Sequence, residues 1–276
     1  MSNLVSTEWL AANLDRVRVV DASWYMPAEK REPAKEFEAG HIPGAVFFDI
    51  DAVSDHSTDL PHMLPSAGDF AAAAGKLGIG NRDTVVAYDG SGIFSAPRLW
   101  WTLKAMGHDN VKVLDGGFPK WTREGRAVET GPARPLEKSF TASYRQALKR
   151  DFNDVMGIVA DKSAQMVDAR SASRFTAEEK EPRAGLRSGH MPGACNVHFR
   201  SLITPDGTFK PKEELRAAFE KAGVDIKRPI VTTCGSGMTA AILMLALDEI
   251  GAGDTALYDG SWTEWGGRPE APVVEG

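Results

Sequence analysis

Cys234 opens the stretch CGSGMT (234–239), which follows a β-branched run and precedes a long apolar segment. A thiol that only packs into a core needs no glycines behind it. Gly235 and Gly237 allow backbone angles closed to other residues, so consecutive amides can turn toward the sulfur as an anion-binding nest. A helix starting just beyond adds the partial positive charge of its N-terminus. Sulfur so placed is favoured as the thiolate, and the same amides would stabilise a persulfide anion or an anionic intermediate. The competing reading of Cys234 is a packed core thiol, the common fate of a free cysteine. Ser236 likewise has two readings, a proton-handling hydroxyl or a cap for a helix beginning at about Met238.

The chain itself supplies a comparison, because it is written twice. VVDAS at 19–23 is matched by MVDAR at 166–170, and EAGHIPGAVFF at 38–48 by RSGHMPGACNV at 187–197. TVVAYDGSG at 84–92 is matched by PIVTTCGSG at 229–237, and LDGGFPKW at 114–121 by YDGSWTEW at 258–265. The offsets stay nearly constant: Asp21 pairs with Asp168, His41 with His190, Asp89 with Cys234 and Asp115 with Asp259. Two copies of this length are duplicated domains rather than solenoid repeats. The first copy therefore keeps the loop and carries Asp89 where the second carries its thiol, which predicts one inactive and one active copy. His41 and His190 precede Pro-Gly in both copies and read as structural turns. Cys195 aligns with Val46 and reads as packing.

The elements that position the loop are legible in each half. RVRVVDA, DTVVAYD and NVKVLDG read as strands, with AQMVDA, PIVTTC and DTALYDG as their partners. SAPRLWWTLKAMG and MTAAILMLALDEIG place apolar residues at helical spacing, each ending at a glycine. Strands alternating with helices predict an α/β fold with a mostly parallel sheet covered on both faces, twice over. Ligands of such sheets bind beyond the carboxyl ends of the strands, where Cys234 falls. The stretch 129–151 has little periodicity and reads as the connection. It divides the chain into a first domain at 1–135, a linker at 136–150 and a second domain at 151–276.

At 276 residues the chain is long enough for two domains, with 42% hydrophobic and 25% charged residues. A net charge of −6 argues against a nucleic-acid surface. No apolar run reaches membrane-spanning length and the N-terminus has no secretory pattern, so the protein is expected in the cytoplasm, away from membranes. Two cysteines are no disulfide framework. The scattered histidines and the lack of a Cys-x-x-Cys pair predict no metal site, and neither GSG has the context of a nucleotide loop.

With its HIPGA and DGSWTEW signals and a single cysteine loop in the second of two tandem domains, the chain resembles the two-domain rhodanese sulfurtransferases over about residues 3–270. That resemblance implies transfer of a sulfur atom through a cysteine persulfide, with no cofactor. The thiosulfate branch carries cationic residues directly after the cysteine. The neutral CGSGMT resembles the 3-mercaptopyruvate branch, with Met238 replacing its usual valine and Thr239 retained. The resemblance makes Cys234 the nucleophile and places Ser236, His62 and Asp51 in a proton relay. It assigns Arg174 and Arg183 to the substrate carboxylate, and Gly235, Gly237, Met238 and Thr239 to the substrate-facing loop. Guanidinium forks suit a carboxylate, and an enolate leaving group needs a proton. The expected acceptor is a small thiol, cyanide or a reduced thioredoxin-like protein. Thiosulfate:cyanide sulfur transfer is the alternative donor reading, and a persulfide carrier or redox-sensing module without turnover is the alternative class. A cysteine phosphatase would need an arginine where Ala240 stands, and a Cys–His hydrolase would need a base beside Cys234.

Overall fold

The computed structural model describes residues 2–276, which divide into two compact units. The first comprises residues up to Asp55, Leu64–Arg145 and Ile203–Phe209; the second comprises His56–Met63, Gln146–Leu202 and Lys210–Gly276. Each unit thus includes a short segment from the other half of the sequence.

The first unit is built on strands β1 (Leu4–Val5), β2 (Val17–Asp21), β3 (Val46–Phe47), β4 (Thr84–Tyr88) and β5 (Val111–Leu114), in the order β1-β5-β4-β2-β3. The second uses β6 (Lys149–Arg150), β7 (Gln165–Asp168), β8 (Cys195–Asn196), β9 (Ile230–Thr233) and β10 (Thr255–Tyr258), in the order β6-β10-β9-β7-β8. Every pairing is parallel, and corresponding strands occupy corresponding places in both sheets. The six predicted strands are the three central members of each sheet. The two-residue edge strands β1, β3, β6 and β8 are too short to leave a period-2 signature.

Central strands are buried on both faces, as parallel strands covered by helices must be: Val85, Val86 and Ala87 are inaccessible, as are Thr232 and Thr233. The helices Ala96–Ala105 and Ala240–Glu249 are apolar on nearly every side because they are buried on nearly every side. Among their residues only Lys104 and Asp248 are not buried. Trp100, Trp101 and Trp121 fill the first core, and Trp262 and Trp265 the second. Each large side chain so buried contributes roughly 2–3 kcal/mol of transfer free energy.

The stretch from 136 to 150 is fastened to the elements around it. Lys138 N–H donates to Gly75, Asn81 exchanges two bonds with Thr141, and Phe140 lies edge-on to Phe70 at 5.6 Å. Ser143 and Arg145 then donate to Met106 and Ala105, and Lys149–Arg150 joins the second sheet as β6. Among the described residues no helix is long and apolar enough to cross a membrane.

Candidate active site

Strand β9 ends at Thr233, and Cys234 follows at its carboxyl end, 2% exposed. The loop runs through Gly237, whose φ of 77° is open to glycine and strained for other residues. The helix itself begins at Ala240, with Thr239 as N-cap and no side-chain cap bond. Ser236, 7% exposed, is therefore not the cap of this helix.

The loop backbone is held from the next βα turn. Ser261 Oγ accepts from Cys234 N–H at 3.2 Å, Trp262 N–H donates to Cys234 O, and Thr263 donates to Gly235 O through both N–H and hydroxyl. Among the described residues, no protein group accepts from the backbone N–H groups of Ser236, Thr239 and Ala240. These amides are available to an anion at the head of the loop.

The first unit displays the same cradle with an anion in it. Asp89 is 1% exposed, and its carboxylate accepts from the N–H groups of Ser91, Phe94, Ser95 and Ala96 at 2.8–2.9 Å. Counted from Asp89 and from Cys234, the first three of these donors correspond to Ser236, Thr239 and Ala240. The repeat thus reads out what the second loop can hold: one compact negative charge.

Arg174, on the short helix Ala172–Phe175, and Arg183, on the loop after it, converge on the cysteine loop. A Cβ placed on Gly235 would stand 3.3 Å from Arg174 Nη2 and 3.9 Å from Arg183 Nη1. Both side chains are partly accessible. Arg174 is braced by Glu181, which also binds Arg170 at 2.6 Å; Arg170 in turn grips Asp168 and lies 4.0 Å over the Trp262 ring. Asp168, Arg170 and Glu181 are almost fully buried. Arg170, Arg174 and Arg183 face only Asp168 and Glu181 as carboxylates, and Arg183 has no ion-pair partner among the described residues. The mouth of the loop therefore carries a net positive charge suited to a carboxylate ligand.

Met238 is buried and Thr239 half-buried, completing the loop. His62 is 5% exposed with a φ of 61°, in the segment His56–Met63 that groups with the second unit. Asp51 belongs to the first unit, where its Oδ2 accepts from the Trp24 indole at 2.9 Å. His41 and His190 have matching structural surroundings: each ring lies on a phenylalanine (Phe37 and Phe175) and bonds the same residue's carbonyl through Nδ1. Cys195 sits on edge strand β8, and burial pushes its thiol pKa up.

Sequence reasoning missed Arg170, Glu181, Ser261 and Thr263. For Arg170, Ser261 and Thr263 the signal lay in the differences between the copies, VDAR against VDAS and DGSWT against DGGFP; Glu181 left none.

Comparison with known proteins agrees with this architecture. The model of the rhodanese-like domain matches residues 6–124 and again 151–268. The chain is 43% identical to a 3-mercaptopyruvate sulfurtransferase of Escherichia coli (strain K12), over 98% of this chain and 96% of that one. It is also 43% identical to a thiosulfate sulfurtransferase of Rattus norvegicus, over 99% and 95%. The crystal structure of SseA from Escherichia coli, described as a 3-mercaptopyruvate sulfotransferase, superposes with a TM-score of 0.88 at 41% identity, covering 95% of this chain and 99% of that one. Two matched domains, near-complete coverage and a close structural superposition place the chain in the rhodanese family, as a two-domain sulfurtransferase acting between a small-molecule sulfur donor and an acceptor.

Proposed function

We propose that the protein takes sulfur from 3-mercaptopyruvate onto Cys234 and passes it to a small thiol, cyanide or a thioredoxin-like protein. The observation that carries this reading is the pair of guanidiniums beside Gly235. A 2-oxo acid offers them a carboxylate, and the grip brings its sulfur toward the cysteine at the loop's head. The neutral loop residues Gly235, Ser236, Gly237, Met238 and Thr239 supply amides rather than side-chain cations, which suits a monoanionic donor.

In the first step the Cys234 thiolate attacks the donor sulfur. An S–S bond forms, the donor C–S bond breaks, and its electron pair leaves on carbon as the enolate of pyruvate. That enolate takes up one proton. Ser236, buried and not the helix cap, is read as its source, replenished through His62 and Asp51. The outer sulfur gives up the proton of the donor thiol, which replaces the one passed to the enolate, and the open amides of Ser236, Thr239 and Ala240 would hold the resulting persulfide anion. In the second step an acceptor thiolate or cyanide attacks the outer sulfur, the S–S bond breaks, and Cys234 regains its thiolate. No metal or organic cofactor enters this scheme. We read residues 1–135 as the copy that carries no sulfur, 136–150 as the linker, and 151–276 as the copy that does. Two free cysteines and a thiol-based turnover suit a reducing compartment such as the cytoplasm.

Thiosulfate is the second donor reading, favoured by the equal identity to the rat thiosulfate sulfurtransferase. One experiment separates the two: single-turnover reaction with each donor, followed by intact-mass measurement. A gain of about 32 Da with 3-mercaptopyruvate, lost in Cys234→Ser, is expected. A gain with thiosulfate alone would overturn the donor assignment, and no gain with either would mean the fold is kept without the sulfur-transfer chemistry, as a binding module.

A further inference from the structure

Ser261 has a φ of 49°, a conformation that costs a residue with a Cβ and favours glycine. The first unit uses glycine there: Gly117, its counterpart, has a φ of 53°. Two steps on, the first unit has Pro119, which has neither N–H nor hydroxyl, where the second has Thr263. Of the bonds that hold the cysteine loop from this turn, the first unit repeats only one, Phe118 N–H to Asp89 O at 3.0 Å. The other three belong to the second unit alone: Cys234 N–H to Ser261 Oγ, and Thr263 N–H and Oγ1 to Gly235 O. Strain held beside a reactive group, with no such strain in the inert copy, points to a role in that group's geometry.

We propose that Ser261 and Thr263 are positioning residues for sulfur transfer, fixing the two peptide groups that flank the Cys234–Gly235 bond, through Cys234 N–H and Gly235 O, so that Sγ faces the open amides. The inference rests on Cys234 being the sulfur carrier. Ser261 is fully buried, and its hydroxyl donates to Tyr258 O at 2.9 Å, leaving its lone pairs directed to Cys234 N–H and to Thr233 Oγ1. The peptide that carries the nucleophile is thus tied through one hydroxyl to the end of β10, and through Thr263 to the first turn of helix Ser261–Trp265. In the first unit the four amides that bind Asp89 fix its carboxylate directly, so no equivalent clamp is needed.

The test is Ser261→Gly, which relieves the backbone while deleting the hydroxyl. The expected result is a melting temperature no lower than that of the parent, a rate of sulfur loading at saturating 3-mercaptopyruvate reduced about tenfold, and KM unchanged within about twofold. Thr263→Val keeps the N–H bond and loses the hydroxyl; it should load about threefold more slowly, with Thr263→Ser restoring the rate. Should Ser261→Gly fail to fold, this second pair decides. Loading at the parent rate in folded Ser261→Gly, or in Thr263→Val, would overturn the proposal. If the parent gains no sulfur, or Cys234→Ser still gains it, the carrier assignment itself is wrong and this inference falls with it. That outcome is told apart from the first by the parent and Cys234→Ser controls alone.

Discussion

The loops at Asp89 and Cys234 have corresponding sequence spacing and the same place in their sheets, yet one is closed and the other open. In the first unit Asp89 fills its own nest with four amide bonds, and a Cβ on Gly90 would collide with the Tyr25 hydroxyl. In the second, three of the corresponding amides have no protein acceptor, and two arginines stand where Tyr25 stands in the first. A cradle of amides is thus used in two ways: to bind a fixed carboxylate, or to receive a charge that comes and goes. The same contrast runs one layer deeper. Asp21 is buried with Ser23 and Tyr88 hydroxyls for company, whereas its counterpart Asp168 is held by Arg170, and Arg170 leads through Glu181 to Arg174.

The largest effect is expected from breaking that chain at Glu181. Glu181→Gln keeps the shape and removes the charge that Arg170 and Arg174 share. Since the carboxylate is 2% exposed and its loss leaves buried positive charge, the variant should lose about 3–5 kcal/mol in denaturant unfolding. Freed of its brace, Arg174 should hold the donor less well, raising KM about tenfold for a carboxylate donor. Stability lost with KM intact would show that the network supports the fold without orienting the arginine.

This network also marks the limit of what could be read from the chain alone. The central strands, the two buried helices, the duplication and the Cys234 loop were legible because each has a local pattern: β-branched runs, helical spacing, repeated motifs. The convergence of Arg174 and Arg183 on Gly235 has no local signature; it depends on a parallel sheet bringing the end of β7 beside the end of β9. Glu181 was hidden more thoroughly. In EEKEPR it is one acid among several, and only burial distinguishes it from Glu178 and Glu179. Ser261 has no local signature either; what sets it apart is a φ of 49° that matches the 53° of Gly117. The helix starts two residues later than expected, at Ala240, because Met238 and Thr239 still belong to the turn, with Thr239 as the N-cap.

A smaller effect should separate the two buried aspartates by pH. Burial raises the Asp21 carboxyl to about 6 from 3.8, against the opposing bonds from Ser23 and Tyr88. A carboxyl whose pKa is higher when folded favours the folded state fully below about pH 3.8 and loses that contribution as pH rises through about 6. The most it can amount to is about 3 kcal/mol. Asp21→Asn keeps an acceptor and cannot ionise, so its stability relative to the parent should rise by up to that amount between pH 4 and 7.5. Asp168→Asn deprives Arg170 of its partner and should be less stable than the parent at pH 7.5. Equal pH profiles for Asp21→Asn and the parent would mean that Asp21 titrates alike in both states.

The smallest effect comes from an arginine–glutamate pair in the first unit that resembles Arg174–Glu181 in chemistry but not in setting. Arg31 binds Glu36, lies 3.5 Å over the Tyr25 ring, and both partners bond the Tyr25 hydroxyl. Here the side chains are 35% and 40% exposed, against 19% and 2% in the second unit. Water already solvates both charges, so separating them returns most of what it removes. Glu36→Gln should therefore cost under about 1 kcal/mol, with the difference shrinking further at high salt, and should leave sulfur loading unchanged. A loss approaching that of Glu181→Gln would mean that the Tyr25 side of the closed loop is held as tightly as the open one. The contrast between the two units would then lie in the amides and not in the charges around them.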